Sequence, residues 1–145
     1  MSLFSSIFGS SENQITSNNN VNWIPLIFMG QLDEIVSLSD EKPVVLFKHS
    51  TRCSISRMAL KQFENEFDLE DKVDAYFLDL LEYRDISNEI TCRFNVYHQS
   101  PQLLLIKEGK SVYDVSHSDI DAVELEREVV KYFCLRFIKS HEFTN

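Results

Sequence analysis

The sequence predicts an α/β domain in which a central mixed sheet carries helices on both faces, behind a flexible N-terminal lead-in. Two observations predict the layers. Short apolar runs, residues 44–48 and 102–107, suit strands buried on both sides. They alternate with longer stretches whose apolar residues recur at helical spacing. A third observation fixes the end of the sheet. The last two strands flank Glu108-Gly109-Lys110, a hairpin turn whose glycine allows positive φ.

The lead-in takes residues 1–20, polar and rich in turn formers from Gly9 onward. Ahead of that, Leu3, Phe4, Ile7 and Phe8 could make one turn of amphipathic helix. They are either a sticky, disordered tail or a partner-docking or dimer-forming segment. The domain proper takes residues 21–145 and opens on a short strand at 21–26, which Pro25 confines to a sheet edge. Leu32, Ile35, Val36 and Leu38 predict a helix over 29–38, ended by residues 39–43. The strand at 44–48 follows. Beyond a polar turn, Ile55, Met58, Ala59, Leu60, Phe63 and Phe67 mark the inward face of a second helix. Val73, Ala75, Phe77 and Leu78 belong to the next buried strand, which ends near Asp79. A third helix spans roughly residues 85–94, with Ile86, Ile90 and Phe94 inward. The loop 96–101 runs into the strand at 102–107, and residues 111–115 return antiparallel. Ser118-Asp119 is the expected cap of a final helix, with Ile120, Val123, Leu125, Val129, Val130 and Phe133 inside. With right-handed crossovers, the order β-α-β-α-β-α-β-β-α fits a thioredoxin-like arrangement.

Composition removes several function classes. The chain has 145 residues, 43% hydrophobic, enough for one domain with a real core. Its net charge of −9 repels phosphate backbones and anionic lipid, so neither nucleic acid nor membrane is an expected partner. No segment approaches the roughly 20 apolar residues of a membrane span. The amino terminus lacks a basic region, and its apolar run is too short for a signal peptide, so the expected compartment is the cytoplasm. The three cysteines, Cys53, Cys92 and Cys134, form no C-x-x-C, and an odd number without a framework suits a reducing environment. The four histidines are scattered, so neither a metal nor a bound cofactor is expected.

One stretch carries the chemistry. Strand, polar turn and helix start succeed one another so that Cys53 lies at the positive end of a helix, beyond the carboxyl end of a strand. Open α/β sheets place their ligands there. The thiolate is the nucleophile, so the site must favour it. Candidate stabilisers are the unpaired amides and dipole of the first helical turn, Arg52 and Thr51 in the turn, and the Ser56 hydroxyl one helical turn on. His49 is another possible proton acceptor, although a residue on the preceding strand need not reach the sulfur. Asp79, at its strand end, either relays a proton or solvates the sheet end. Cys53-Ser54-Ile55-Ser56 is C-x-x-S. One thiol can attack a disulfide and hold half of it, but an external thiol must complete the turnover. Cys92 and Cys134 sit in apolar helical patterns and are expected to be buried and structural. Ser100-Pro101 is either an ordinary loop proline or a cis bond. The cis form turns the Ser100 backbone outward, where it can pair with an extended peptide.

Residues 48–56, Lys48-His49-Ser50-Thr51-Arg52-Cys53-Ser54-Ile55-Ser56, are one of three motifs. The others are His98-Gln99-Ser100-Pro101-Gln102-Leu103 and Ser116-His117-Ser118-Asp119-Ile120. Together, in this order, they resemble the monothiol bacilliredoxins, YtxJ-type thioredoxin-fold proteins of the bacillithiol system. The resemblance runs from about Trp23 to the last helix. It implies removal of bacillithiol from S-thiolated client proteins: Cys53 attacks the bacillithiol sulfur, frees the client, and is regenerated by another thiol. A low-molecular-weight thiol, bacillithiol or similar, is then a co-substrate. Ser100 and Pro101 are the expected substrate-binding edge. His117 either helps bind the polar parts of the small thiol or is an exposed loop histidine. Ser54 stands where the family usually has proline, and Ser118 where an aromatic is common. Two rival readings remain. One is a catalytically silent thioredoxin-like module that binds a peptide or protein. The other is iron–sulfur delivery as in monothiol glutaredoxins, whose usual Gly-Phe is replaced here by Ser54-Ile55.

Overall fold

In the computed structural model, which describes residues 20–142, five strands and four helices form three layers. The elements are β1 (Ile24–Pro25), α1 (Gly30–Leu38), β2 (Val44–His49), α2 (Ser54–Glu66), β3 (Asp74–Asp79), α3 (Arg84–Phe94), β4 (Gln102–Lys107), β5 (Lys110–Ser116) and α4 (Ala122–Glu142). A short 3-10 turn, His117–Asp119, separates β5 from α4. The sheet order is β1-β3-β2-β4-β5. β1 and β2 run parallel to β3, whereas β4 is antiparallel to both β2 and β5. The mixed sheet and the element order are those the periodicity predicts. The amphipathic turn expected at Leu3, Phe4, Ile7 and Phe8 lies outside the described residues.

Alternation along the central strands divides the core in two. Val45, Phe47, Leu103 and Leu105 face one way, packing with Phe63 and Phe67 of the α2 side and Leu125 and Val129 of α4. Val44, Leu46, Leu104 and Ile106 face the other way, against Leu32 and Ile35 of α1 and Ile86 and Ile90 of α3. β2 and β4 are buried at every position, which is why both read as unbroken apolar runs. Pro25 does sit on an edge strand, which is only two residues long. Gln31 finishes that edge: its Oε1 accepts from the N–H of Ile27 and Phe28, and its Nε2 donates to the Pro25 carbonyl. The hairpin turn is Glu108-Gly109, both at positive φ (52° and 73°), the combination a two-residue turn needs to match strand twist.

Several expected inward faces are corrected. Ile55 and Met58 are 60% and 73% exposed; Phe63 and Phe67 are buried as expected, and the buried residue of the second helix's first turn is Ser56. Leu38, Val123, Val130 and Phe133 are also exposed. Cys92 and Cys134, expected inside, lie on the surface as free thiols. The cap of α4 is Asp121 and not Ser118-Asp119. Its Oδ1 accepts from the N–H groups of Val123 (2.7 Å) and Glu124 (3.0 Å). The 3-10 turn takes up the two residues expected to cap. No described helix is long and apolar enough to cross a membrane.

Candidate active site

Cys53 is the N-cap residue of α2, in extended conformation (φ −100°, ψ 121°) and half-buried. Its N–H donates to the Ser50 carbonyl (3.1 Å), closing the turn that leaves β2. Its own carbonyl accepts from the Arg57 N–H (3.1 Å), the first bond of the helix. The thiol thus stands where the helix presents amides without intrahelical partners. Thr51 and Arg52 are exposed in the turn.

Ser56 is fully buried, and its hydroxyl is engaged with the turn. Its Oγ accepts from the Ser50 N–H (3.1 Å) and shares a hydrogen bond with His49 Nδ1 (2.8 Å). Among the described residues no hydrogen bond joins Ser56 to Cys53. Its contact with the thiol runs through the loop it pins: Ser56 holds Ser50, and Ser50 holds Cys53. His49 packs its ring 5.4 Å from that of Phe77. Burial pushes the His49 imidazole below its ordinary value, with Asp79 opposing and Arg57 adding to the depression. Asp79 is the cross-strand partner of His49 and accepts from the Leu81 N–H (3.1 Å), so it shapes the turn after β3.

The second segment lies alongside. β4 pairs with β2 so that Gln102 opposes Lys48, which brings Ser100-Pro101 to the end of the sheet where Cys53 sits. The Ser100-Pro101 peptide is cis. Ser100 Oγ is buried and has no hydrogen-bond partner among the described residues. Gln102 folds its amide back to hold the loop, with Nε2 donating to the Tyr97 carbonyl (2.8 Å) and Oε1 accepting from the Gln99 N–H (3.3 Å).

The third segment closes the group. The His117 N–H donates to the Pro101 carbonyl (3.1 Å), and His117 adopts positive φ (55°). Its exposed side chain shares a groove of about 220 Å³ with Ile55, Met58, Ala59 and Gln62 of α2. One end of the sheet therefore gathers Cys53, Ser100-Pro101 and His117, with exposed apolar surface from Ile55 and Met58 beside them.

Two residues at this end have roles that residue spacing did not reveal. Lys48 is completely buried, and its Nζ lies 2.9 Å from His98 Nδ1, which Ser87 Oγ also approaches at 3.4 Å. Burial pushes the Lys48 ammonium down to about 8. His98 is lowered by burial first, then by the charges of Lys48 and Arg84. The available signal was a lysine closing an otherwise apolar strand, since a buried cation needs a partner. Among the described residues, no group of three His, Cys, Asp or Glu side chains could hold a metal ion.

The fold has known relatives. A solved structure described as a candidate oxidoreductase with a thioredoxin fold is 32% identical, with a TM-score of 0.63 over 72% of this chain and 91% of that one. The thioredoxin of Nicotiana alata (24% identity, TM-score 0.61, 80% and 96% covered) shares the fold. So does that of Malassezia sympodialis (20%, 0.60, 83% and 96%). The family model described as monothiol bacilliredoxin BrxC matches residues 24–125, a span that holds Cys53, Ser100-Pro101 and His117. Strand order, thiol position and this match agree, and the chain belongs to the monothiol bacilliredoxin family.

Proposed function

We propose that the chain is a one-thiol oxidoreductase that removes a low-molecular-weight thiol, bacillithiol or a close analogue, from S-thiolated client proteins in the cytoplasm. The Cys53 thiolate attacks the small-thiol sulfur of the mixed disulfide. A Cys53–small-thiol disulfide forms, the original S–S bond breaks, and the client leaves as a thiolate that takes a proton from solvent. A second small thiol then attacks the Cys53-bound disulfide. Its sulfur forms the new S–S bond with the bound half, the Cys53–small-thiol bond breaks to restore the Cys53 thiolate, and the two small thiols leave as the symmetric disulfide.

The observation that carries this reading is the fixed serine three residues after the thiol. A resolving cysteine would have to stand at Ser56, and that side chain is buried and bonded to Ser50 and His49. The reacting sulfur thus has no neighbour in its own helix to expel the bound half. The cis Ser100-Pro101 edge and His117 supply the surface on which client and small thiol would rest.

The test is intact-protein mass spectrometry after incubation with oxidised bacillithiol. One small-thiol adduct is expected, located at Cys53, absent from Cys53→Ser and removed by excess reduced thiol. An inert Cys53 beside a modified Cys92 or Cys134 would sink the proposal.

A further inference from the structure

Two buried polar side chains stand under the loop that ends in Ser100-Pro101. Gln102 opposes Lys48 across the β2–β4 ladder, and residues paired in this way point to the same face of the sheet. That face is otherwise apolar along both strands, with Val44 and Leu46 on one and Leu104 and Ile106 on the other. Lys48 and Gln102 are completely buried, in places where apolar side chains would need no polar partner. Both direct their hydrogen bonds to the loop between α3 and β4. Gln102 holds the Tyr97 carbonyl and the Gln99 N–H, while Lys48 Nζ reaches His98 Nδ1 at 2.9 Å.

The Lys48 bond defines the state of its partner. An ammonium has only donors, so His98 Nδ1 accepts, and the imidazole is neutral with its proton on Nε2. Ser87 Oγ, buried on α3, approaches the same nitrogen at 3.4 Å, so the ring is held between β2 and α3. Among the described residues, no other side chain of residues 96–100 makes a hydrogen bond. The loop is therefore tethered by its one histidine from within and by Gln102 from below. Two residues beyond His98 comes Ser100, the first residue of the cis bond. A backbone edge can pair with an extended peptide only while its own N–H and C=O groups are held in place.

We propose that Lys48 is a positioning residue of the client-binding edge: through its bond to His98 it fixes the loop that presents Ser100 and Pro101 to a peptide joined to Cys53. This rests on the reading of Ser100-Pro101 as the surface where a client lies. Lys48 points to the face of the sheet away from His49 and Ser56, so it acts through the loop and not through the turn that carries the thiol.

The experiment compares Lys48→Met with its parent in a chain carrying Cys92→Ser and Cys134→Ser, where Cys53 is the one thiol. Two disulfides probe it. One is a cysteine peptide with a thiopyridyl group on its sulfur, which lies along the edge as it reacts; the other is dithiodipyridine, which has no backbone. In each case the Cys53 thiolate forms the new S–S bond and thiopyridone leaves. The ratio of the peptide rate to the dithiodipyridine rate should fall several-fold in Lys48→Met. His98→Asn, which offers an amide oxygen near the place of Nδ1, should keep most of the parent ratio, and His98→Leu should lose it. Amide exchange over residues 97–102, read by mass spectrometry, should be faster in Lys48→Met while the rest of the sheet exchanges no faster than in the parent. An unchanged ratio, unchanged loop exchange, equal ratios in His98→Asn and His98→Leu, or faster exchange throughout the chain overturns the proposal. A parent Cys53 that reacts with neither disulfide overturns the proposed function instead, and loop exchange then decides the positioning by itself.

Discussion

Lys48 and His49 leave β2 on opposite faces of the sheet, and each meets a polar partner: His98 for one, Ser56 for the other. The reading of residues 44–48 as one apolar run concealed this. Local pattern reports that a strand is buried, while the partner of its one cation comes from a loop fifty residues away. The consequence can be measured through Lys48. Its folded value is lowered to about 8 from an ordinary 10.5. Below pH 8 both folded and unfolded chains carry the proton, and the burial penalty is felt in full. Between 8 and 10.5 the unfolded chain holds the proton that the folded chain sheds, so stability rises with pH through that window. The penalty at neutral pH is about 3 kcal/mol. Lys48→Met removes it and forfeits a hydrogen bond worth about 1–2 kcal/mol. Urea denaturation at neutral pH should therefore find the variant more stable by roughly 1–2 kcal/mol, and the advantage should vanish near pH 10. An advantage that persists unchanged at alkaline pH would show that the buried ammonium does not titrate there.

Each element could be found in the sequence, but its ends and faces were less legible. α2 shows why. Ile55 and Met58 follow the helical period as well as Phe63 does, yet they stand in the open groove beside His117 and stay exposed. Periodicity locates an apolar stripe but does not show whether a partner covers its whole length. The buried residue of the helix's first turn is the small polar Ser56, chosen by its bonds to Ser50 and His49. The start of α4 was misplaced for a different reason. Asp119 and Asp121 are equally good caps by composition, and only the 3-10 turn over His117–Asp119 decides between them. Asp121→Ala should cost about 1 kcal/mol in urea denaturation and speed amide exchange at Val123 and Glu124. Ser118→Ala should leave both measurements where they were. A comparable loss from Ser118→Ala would place the cap one turn earlier than the Asp121 bonds do.

At the scale of the whole molecule, strand order determines which thiols can cooperate. The alternation of apolar runs and helical stretches was enough to predict a strand at residues 44–48 buried on both faces, with Cys53 beyond its carboxyl end; the strand order that puts β2 in the middle comes from the structure. The fates of the other two cysteines were not legible, because Ile90 and Phe94 around Cys92 are core residues while Cys92 itself faces outward. Cys134 shares its groove with Lys72, just before the amino end of β3. β2 and β3 are parallel and six residues long, so Cys134 and Cys53 lie at opposite ends of strands about 20 Å in length. Cys92 rides on α3, eight residues and about 12 Å past its start at the carboxyl end of β3. Neither sulfur can reach the Cys53 disulfide while the sheet is intact. Cys92→Ser/Cys134→Ser should therefore release a small thiol from a client mixed disulfide at the wild-type rate, given a reducing small thiol in excess. In single-turnover conditions without that thiol, wild type and variant alike should stop with one small-thiol adduct on Cys53. If the wild type instead returns to free Cys53 and accumulates an internal disulfide, one of these cysteines resolves the intermediate, and the cycle uses two thiols of the same chain.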